Sequence, residues 1–222
     1  MSTSWFDVDK AGLARLVDRR GKATAILELV SNAWDQDVRR VCVNLRTLSK
    51  ERALLLVNDD DPKGFSRLAD AFTLFAPSEK VGEATKRGRF NMGEKLLLSL
   101  CESAIVHTTT GRITFDAEGR HEEPEFRRSS GSEVTARLRM SKAEVAEALA
   151  LLGRLIAPAG IETLVNGNPL PARVPAAVLR ANLSSEIADA SGTLRRTRRM
   201  TDVELHDAPE AGGGWVYELG IP

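Results

Sequence analysis

Apolar positions along the chain change period several times, and each change marks an element. Between residues 9 and 20, Leu13, Leu16 and Val17 recur at helical spacing with charge on the opposite face. A second helical pattern covers 22–37. From 39 to 48 the period drops to two, with Val41, Val43 and Leu45 alternating against polar neighbours as in a half-buried strand. Residues 52–58 read as a buried strand, ended by the acidic turn Asp59-Asp60-Asp61-Pro62-Lys63-Gly64. The pattern over 65–75 is helical again. Residues 77–90, with Gly82, Gly88 and several charges, read as a mobile loop, and 93–101 as a short apolar helix.

Further on, 103–109 and 112–115 flank a Thr-Gly turn and predict a hairpin. A polar connection over 117–130 leads to a strand at 132–140. Ser141 with Glu144 forms a capping box that opens a helix to about Leu152. A strand over 161–165 then runs into the hairpin signal Asn166-Gly167. After Pro169 the pattern weakens. Residues 194–205 and 215–219 read as strands on either side of a flexible turn at 211–214, with Trp215 and Tyr217 half-buried. Helices interspersed with hairpins, without repeats or low-complexity segments, predict an α+β layered sandwich.

Composition narrows the picture. At 222 residues and 42% hydrophobic, the chain supports one large domain, or one domain with a small appendage. Basic and acidic residues balance at 31 each, so no global field points to nucleic acid or to a membrane surface. No apolar run reaches bilayer length, and the start lacks the basic-then-apolar plan of a signal peptide. Cys42 and Cys101 lie in apolar segments without metal-ligand spacing and read as buried thiols of a reducing compartment, which places the chain in the cytoplasm. His107, His121 and His206 are isolated from one another, which gives a zinc site or a histidine nucleophile little support.

Three segments carry chemistry. Glu28, Asn32 and Asp35 fall at i, i+4 and i+7 of the second helix, on one face. An amide oxygen at Asn32 is a hard neutral ligand suited to magnesium, and a carboxylate one turn away can orient or deprotonate a nearby water. The plain alternative is a solvent-facing polar stripe. Asp59, at the end of a buried strand, can accept a hydrogen bond from an amino group of a heterocycle, and Gly64 lets backbone approach a ligand. Here the plain alternative is an acidic turn in which Asp61 caps a helix starting at Pro62. In the third segment Gly88 and Gly93 open a helix whose free amides suit phosphate, with Arg89 and Lys95 as cationic contacts. Its spacing is neither that of a Walker loop nor that of a dinucleotide fingerprint.

In order and spacing the three together resemble the GHKL superfamily of gyrase B, the ninety-kilodalton heat-shock chaperone, histidine kinases and MutL. Glu28-x-x-x-Asn32 looks like its N box, residues 59–64 its adenine box, and residues 88–95 its glycine-rich lid. Gly131-Ser132-Glu133-Val134 looks like the late strand whose hydroxyl supports the adenine-binding aspartate. Gly88-Arg89-Phe90-x-x-Gly93-x-Lys95 is most similar to the microrchidia (MORC) ATPases and to the chaperone. Asp61 stands where the adenine box usually has its first glycine, with one extra residue before Gly64. Asn91 stands where another lid glycine is common, and Glu94 adds a negative charge there.

The resemblance implies a two-layer α/β sandwich of the Bergerat type over residues 1–165, with a mixed, mostly antiparallel sheet. Residues 166–222 are then a β-rich extension or the start of a following domain. It implies ATP and Mg2+ as ligands. Glu28 becomes the general base and Asn32 the metal ligand. Asp35, Asp59, Gly64, Gly88, Arg89, Phe90, Gly93, Lys95 and Ser132 surround the nucleotide, with Ser132 backing Asp59. The activity implied is slow ATP hydrolysis whose nucleotide state controls homodimerisation or partner binding, with an output domain beyond residue 222. A non-hydrolysing nucleotide-binding scaffold is the alternative. A phosphotransferase of the histidine-kinase type is less favoured, since histidine kinases generally lack a glutamate at the position of Glu28 and no histidine-bearing helix precedes the domain. Arg195, Arg196, Arg198 and Arg199, without interleaved aromatics, read as a solvated strand rather than a nucleic-acid contact.

Overall fold

In the computed structural model, which describes residues 9–65, 67–71, 93–188, 194–207 and 214–222, the Asp9 carboxylate accepts from the Ala11 and Gly12 amides and closes the N-terminus of α1 (Lys10–Arg20). Gly21 at φ 86° turns the chain directly into α2 (Lys22–Trp34), a conformation in which only glycine is unstrained. The strands follow as β1 (Arg40–Ser49), β2 (Arg52–Asp59), β3 (Cys101–Thr108), β4 (Gly111–Phe115), β5 (Arg120–Glu123), β6 (Glu133–Leu138), β7 (Glu162–Val165) and β8 (Asn168–Pro169). They build one eight-stranded sheet in the order β5-β4-β3-β6-β2-β1-β7-β8. Among the described residues only β1 and β7 pair in parallel, so the sheet is mixed and mostly antiparallel.

Alternation in the strands decides which face is covered. Val43, Val57, Val134, Val106 and Ile113 form one cross-strand row, and Leu45, Leu55, Ala136 and Ala104 the next. All nine are buried, and the period of two puts them on one side of the sheet. That side carries α2, which packs on β1 and β2 and is flanked by α1, α3 (Gly93–Leu100) and α4 (Lys142–Leu152). The result is the expected α+β sandwich of two layers.

Specific bonds fix α2 within its layer. At its start the Lys22 ammonium donates to the Arg139 carbonyl at 2.8 Å and pairs with Glu144 at 2.9 Å. Glu144 also completes the capping box with Ser141, as the sequence predicts. At its far end the buried Trp34 indole donates to Thr163 Oγ1 of β7 at 2.9 Å. A net contribution of about 1 kcal/mol is usual for such a bond, and leaving the indole unpaired would cost more.

Several expectations change. The polar connection over 117–130 contains β5, whose charged side chains hide it from a hydrophobicity pattern. Of the helix expected over 65–75, the described part is a single 3-10 turn, Leu68–Ala71, and residues 72–75 lie outside the described residues, as does the expected loop over 77–90. The segment 215–219 is no strand; its one bridge joins Glu218 to Ile221. Trp215 is therefore 50% exposed rather than embedded in a sheet, with the Arg154 guanidinium 4.4 Å from its ring centroid. Cys101 is buried, but Cys42 lies on the other face of β1 and is only partly covered.

Beyond residue 165 two further strands appear, β9 (Ala177–Ala188) and β10 (Leu194–Leu205), paired into a separate ribbon. The boundary expected at 165/166 falls inside the β7–β8 hairpin, so β8 belongs to the main sheet. The last residues return to the same body: the Gly220 carbonyl accepts from the Ile156 amide, and Ile221 packs on the core.

Candidate functional site

Helix α2 is covered on nearly all sides. Between Ala23 and Trp34 every residue is buried except Thr24, Glu28 and Asn32. These recur every four residues, so they make one narrow seam along the helix. A merely solvated stripe exposes a broad arc of a helix at a protein surface. Here the polar positions open a helix that is otherwise enclosed. Asp35, at the end of α2, is itself buried at 8% exposure.

Asp59 ends β2 in register with Val41 and continues the alternation of Ala53, Leu55 and Val57. Its side chain therefore faces the helix layer, the side on which α2 packs. Its Oδ1 accepts from the Ser132 amide at 3.0 Å and the Asp61 amide at 3.1 Å. Among the described residues Oδ2 has no donor, which leaves it as the acceptor the carboxylate can offer elsewhere. The support expected from the Ser132 hydroxyl comes instead from its backbone N–H. The hydroxyl of this buried serine turns to Thr108 Oγ1 at 3.5 Å.

The other two aspartates of the turn have structural duties that sequence reasoning did not assign. Asp60 Oδ1 accepts from the Arg39 and Arg40 amides at 2.8 and 3.0 Å, tying the exit of α2 to the end of β2. Asp61 is buried and closes a small turn by accepting from the Lys63 amide at 2.9 Å, so it caps no helix. Its carbonyl also accepts from the Gly131 amide at 2.7 Å. Gly131 has φ 74°, and a Cβ there would lie 2.1 Å from the Asp59 carbonyl oxygen. A glycine directly before a strand was the available signal for this close approach.

Gly64 was expected to let backbone approach a ligand, yet the space a Cβ would fill holds Thr108 and Thr109. The Phe65 amide donates to Thr108 Oγ1 at 2.8 Å, the Thr110 hydroxyl to the Phe65 carbonyl at 3.1 Å, and the Thr109 hydroxyl to the Lys63 carbonyl. This glycine therefore locks the acidic turn against the β3–β4 turn, which in consequence supports Asp59 from behind.

Electrostatics separates two carboxylates from the rest. Burial pushes the Asp59 carboxyl up to about 6; the amides of Ser132 and Asp61 oppose the rise, and the charges of Asp61 and Asp60 add to it. Glu28 is exposed as a residue, but enough protein surrounds its carboxyl that desolvation raises its pKa, helped by the negative charge of Asp35. Both groups are moved toward neutral pH, where carboxyls that bind or transfer protons operate.

Gly93 and Lys95 lie in the first turn of α3, the helix packed beside α2. Gly88, Arg89 and Phe90 lie outside the described residues. Glu28, Asn32 and Asp35 thus lie along α2 in the helix layer, and Asp59 and Ser132 at strand ends of the sheet on which α2 packs, with the start of α3 alongside α2.

An eight-stranded mixed sheet covered by α1–α4 makes a two-layer sandwich of the Bergerat type. A solved structure shares this fold. The ATPase and transducer domains of DNA topoisomerase II from Balamuthia mandrillaris superpose with a TM-score of 0.50 and 15% identity, over 68% of this chain and 48% of that one. The ATPase region of Saccharomyces cerevisiae topoisomerase II gives a TM-score of 0.49 and 13% identity, over 74% of this chain and 56% of that one. The N-terminal domain of a DNA repair protein gives 0.45 and 15%, over 80% and 63%. The chain spans about half the length of the Balamuthia structure, and at that identity the likeness establishes the fold. No protein-family model and no curated protein matches the sequence.

Proposed function

We propose that the chain is a magnesium-dependent ATP-binding module that hydrolyses ATP slowly, its nucleotide state controlling homodimerisation or partner binding. The observation that carries this reading is Asp59: a desolvated carboxylate at a strand end, one oxygen pinned by two amides and the other open. Such a group suits the exocyclic amino donor of adenine, and the GHKL fold supports the assignment because the Balamuthia structure it resembles is that of an ATPase domain. The α2 seam fits the other end of the nucleotide. Asn32 would hold magnesium through its amide oxygen, and Glu28, one turn away, would orient or deprotonate the attacking water. The metal would supply charge neutralisation for the phosphate tail. Asp35, Gly93, Lys95 and the lid residues Gly88, Arg89 and Phe90 complete the site in this reading.

Thermal unfolding with ATP, with and without magnesium, tests it. ATP-Mg at 100 times its dissociation constant should stabilise by about 2.7 kcal/mol, or about 5–11 °C for a chain of this size. The gain should require magnesium and vanish in Asp59→Asn. An equal shift in that variant, or no shift at millimolar ATP-Mg, refutes the assignment.

A further inference from the structure

The β9–β10 ribbon is divided by charge along its length. At its base Arg180 pairs with Asp202 at 3.1 Å, next to Glu204. Toward its tip, the sequence over 183–199 carries four arginines against Glu186 and Asp189, a local net charge of +2 on a chain whose total is zero. The register places Arg195 and Arg199 on one face, opposite Ile187 and Leu183, and Arg196 and Arg198 on the other, opposite Glu186 and Ser184. Arg196 meets Glu186 at 3.3 Å with its side chain 92% exposed, a pair that solvent largely screens. Arg198 and Arg199 have no side-chain partner among the described residues. Hydroxyl and amide side chains (Ser184, Ser185, Thr197, Asn182 and Thr201) interleave with them.

We propose that this end of the ribbon binds the phosphate backbone of double-stranded DNA. A two-stranded ribbon fits the major groove of B-form DNA, about 12 Å wide, whereas the narrow major groove of an RNA duplex excludes it. Arginines alternating between the faces of a strand point to opposite sides of the ribbon, so both groove walls are met. Arg196 and Arg198, two residues apart, are separated by about 7 Å along the strand, close to the spacing of adjacent phosphates on one DNA strand, which combines about 3.4 Å of axial rise with the turn of the helix. Arginine suits phosphate because its planar fork donates two parallel hydrogen bonds. No aromatic side chain lies on this half, so the contact is to backbone, without base stacking. Charges also guard exposed sheet edges, but that duty favours spreading them along an edge. Here they gather at one end, whereas the exposed apolar side chains run from Val178, Leu179 and Leu205 at the other end to Leu183 and Met200 beside Arg199.

Fluorescence anisotropy of a labelled 20-base-pair DNA duplex against the full chain, without nucleotide, between 50 and 200 mM salt tests the proposal. Four phosphate contacts give a slope of log affinity against log salt of about −3.6, a loss of about 150-fold across that range. Replacing all four arginines with glutamine should abolish binding, Arg198→Gln with Arg199→Gln should remove about half the slope, and Arg180→Gln at the base should change neither. Far-UV circular dichroism and the urea midpoint confirm that each variant folds. The proposal is overturned if wild-type chain leaves the duplex free at 50 mM salt, or if the fourfold variant keeps the wild-type slope. It is equally overturned if an RNA duplex, polyglutamate or anionic lipid vesicles compete as well as DNA. An edge-guarding role shows itself as self-association of the fourfold variant in sedimentation with unchanged DNA affinity.

Discussion

Replacing Asp59 with asparagine should stabilise the free protein while removing its affinity for nucleotide, and the gain should depend on pH in a defined way. A carboxyl held at about 6 in the fold sits near 3.8 in the unfolded chain. Between those values the fold binds more protons than the unfolded chain, so stability falls as pH rises through the window. The penalty is absent below about pH 3 and complete above about pH 7, where it reaches about 3 kcal/mol. Asparagine is nearly isosteric and keeps an Oδ1 that accepts from the Ser132 and Asp61 amides. It cannot ionise, so it also escapes the charges of Asp60 and Asp61. Urea unfolding at pH 3, 4.5 and 8 should show a gain near zero, then about 1 kcal/mol, then about 3 kcal/mol, with an unchanged m-value. At pH 8 the thermal midpoint should rise by about 6–12 °C. A gain that is flat across pH, or a loss at pH 8, refutes the claim that a desolvated charge is stored at this strand end.

Glu28→Gln should leave the thermal shift with ATP-Mg intact and reduce phosphate release by about 10²–10⁴-fold; turnover at the wild-type rate takes Glu28 out of the mechanism. Gly131→Ala puts a Cβ 2.1 Å from the Asp59 carbonyl at φ 74°. The chain must shift there, at a cost of at least about 1–3 kcal/mol in urea unfolding together with weakened nucleotide binding, and a variant of wild-type stability shows that the approach is looser than drawn.

Much of the main sheet and its helices was legible because both kinds of periodicity run through it undisturbed. Val41, Val43 and Leu45 alternate into the core, and the Ser141–Glu144 box announces α4. The strand β5 was illegible because its residues Arg120 to Glu123 are all polar and charged, held at a sheet edge by β4 alone. Ribbon strand β9 was missed for a related reason, since arginine, asparagine and serine interrupt its apolar positions and no core face is buried beneath them. In the candidate site, spacing and residue type single out Glu28, Asn32 and Asp59 from the sequence. Two features could not be read that way: which neighbours donate to Asp59, and that Gly64 serves packing against Thr108. The Ser132 donor and the Thr108 contact both span 40 or more residues of sequence and are fixed only when β2 meets β6 and the β3–β4 turn.

Three consecutive aspartates at a partly buried strand end are costly unless each negative charge finds donors, and the turn solves this unequally. Asp60 receives two amides from the start of β1, and Asp61 receives the Lys63 amide within its own small turn. Each spends its charge on backbone geometry. Asp60 in particular reaches the chain just as it leaves α2, whose other anchors are Lys22 at its start and Trp34 at its end. The helix bearing Glu28 and Asn32 and the strand bearing Asp59 are thereby fixed to each other by the neighbour of Asp59 itself. Asp59 joins its two amide donors to burial that raises its pKa and to a carboxylate turned toward the helix layer. Local cost concentrated on one group, while its neighbours are spent on holding it still, is the pattern expected where a side chain is kept for a ligand and not for the fold.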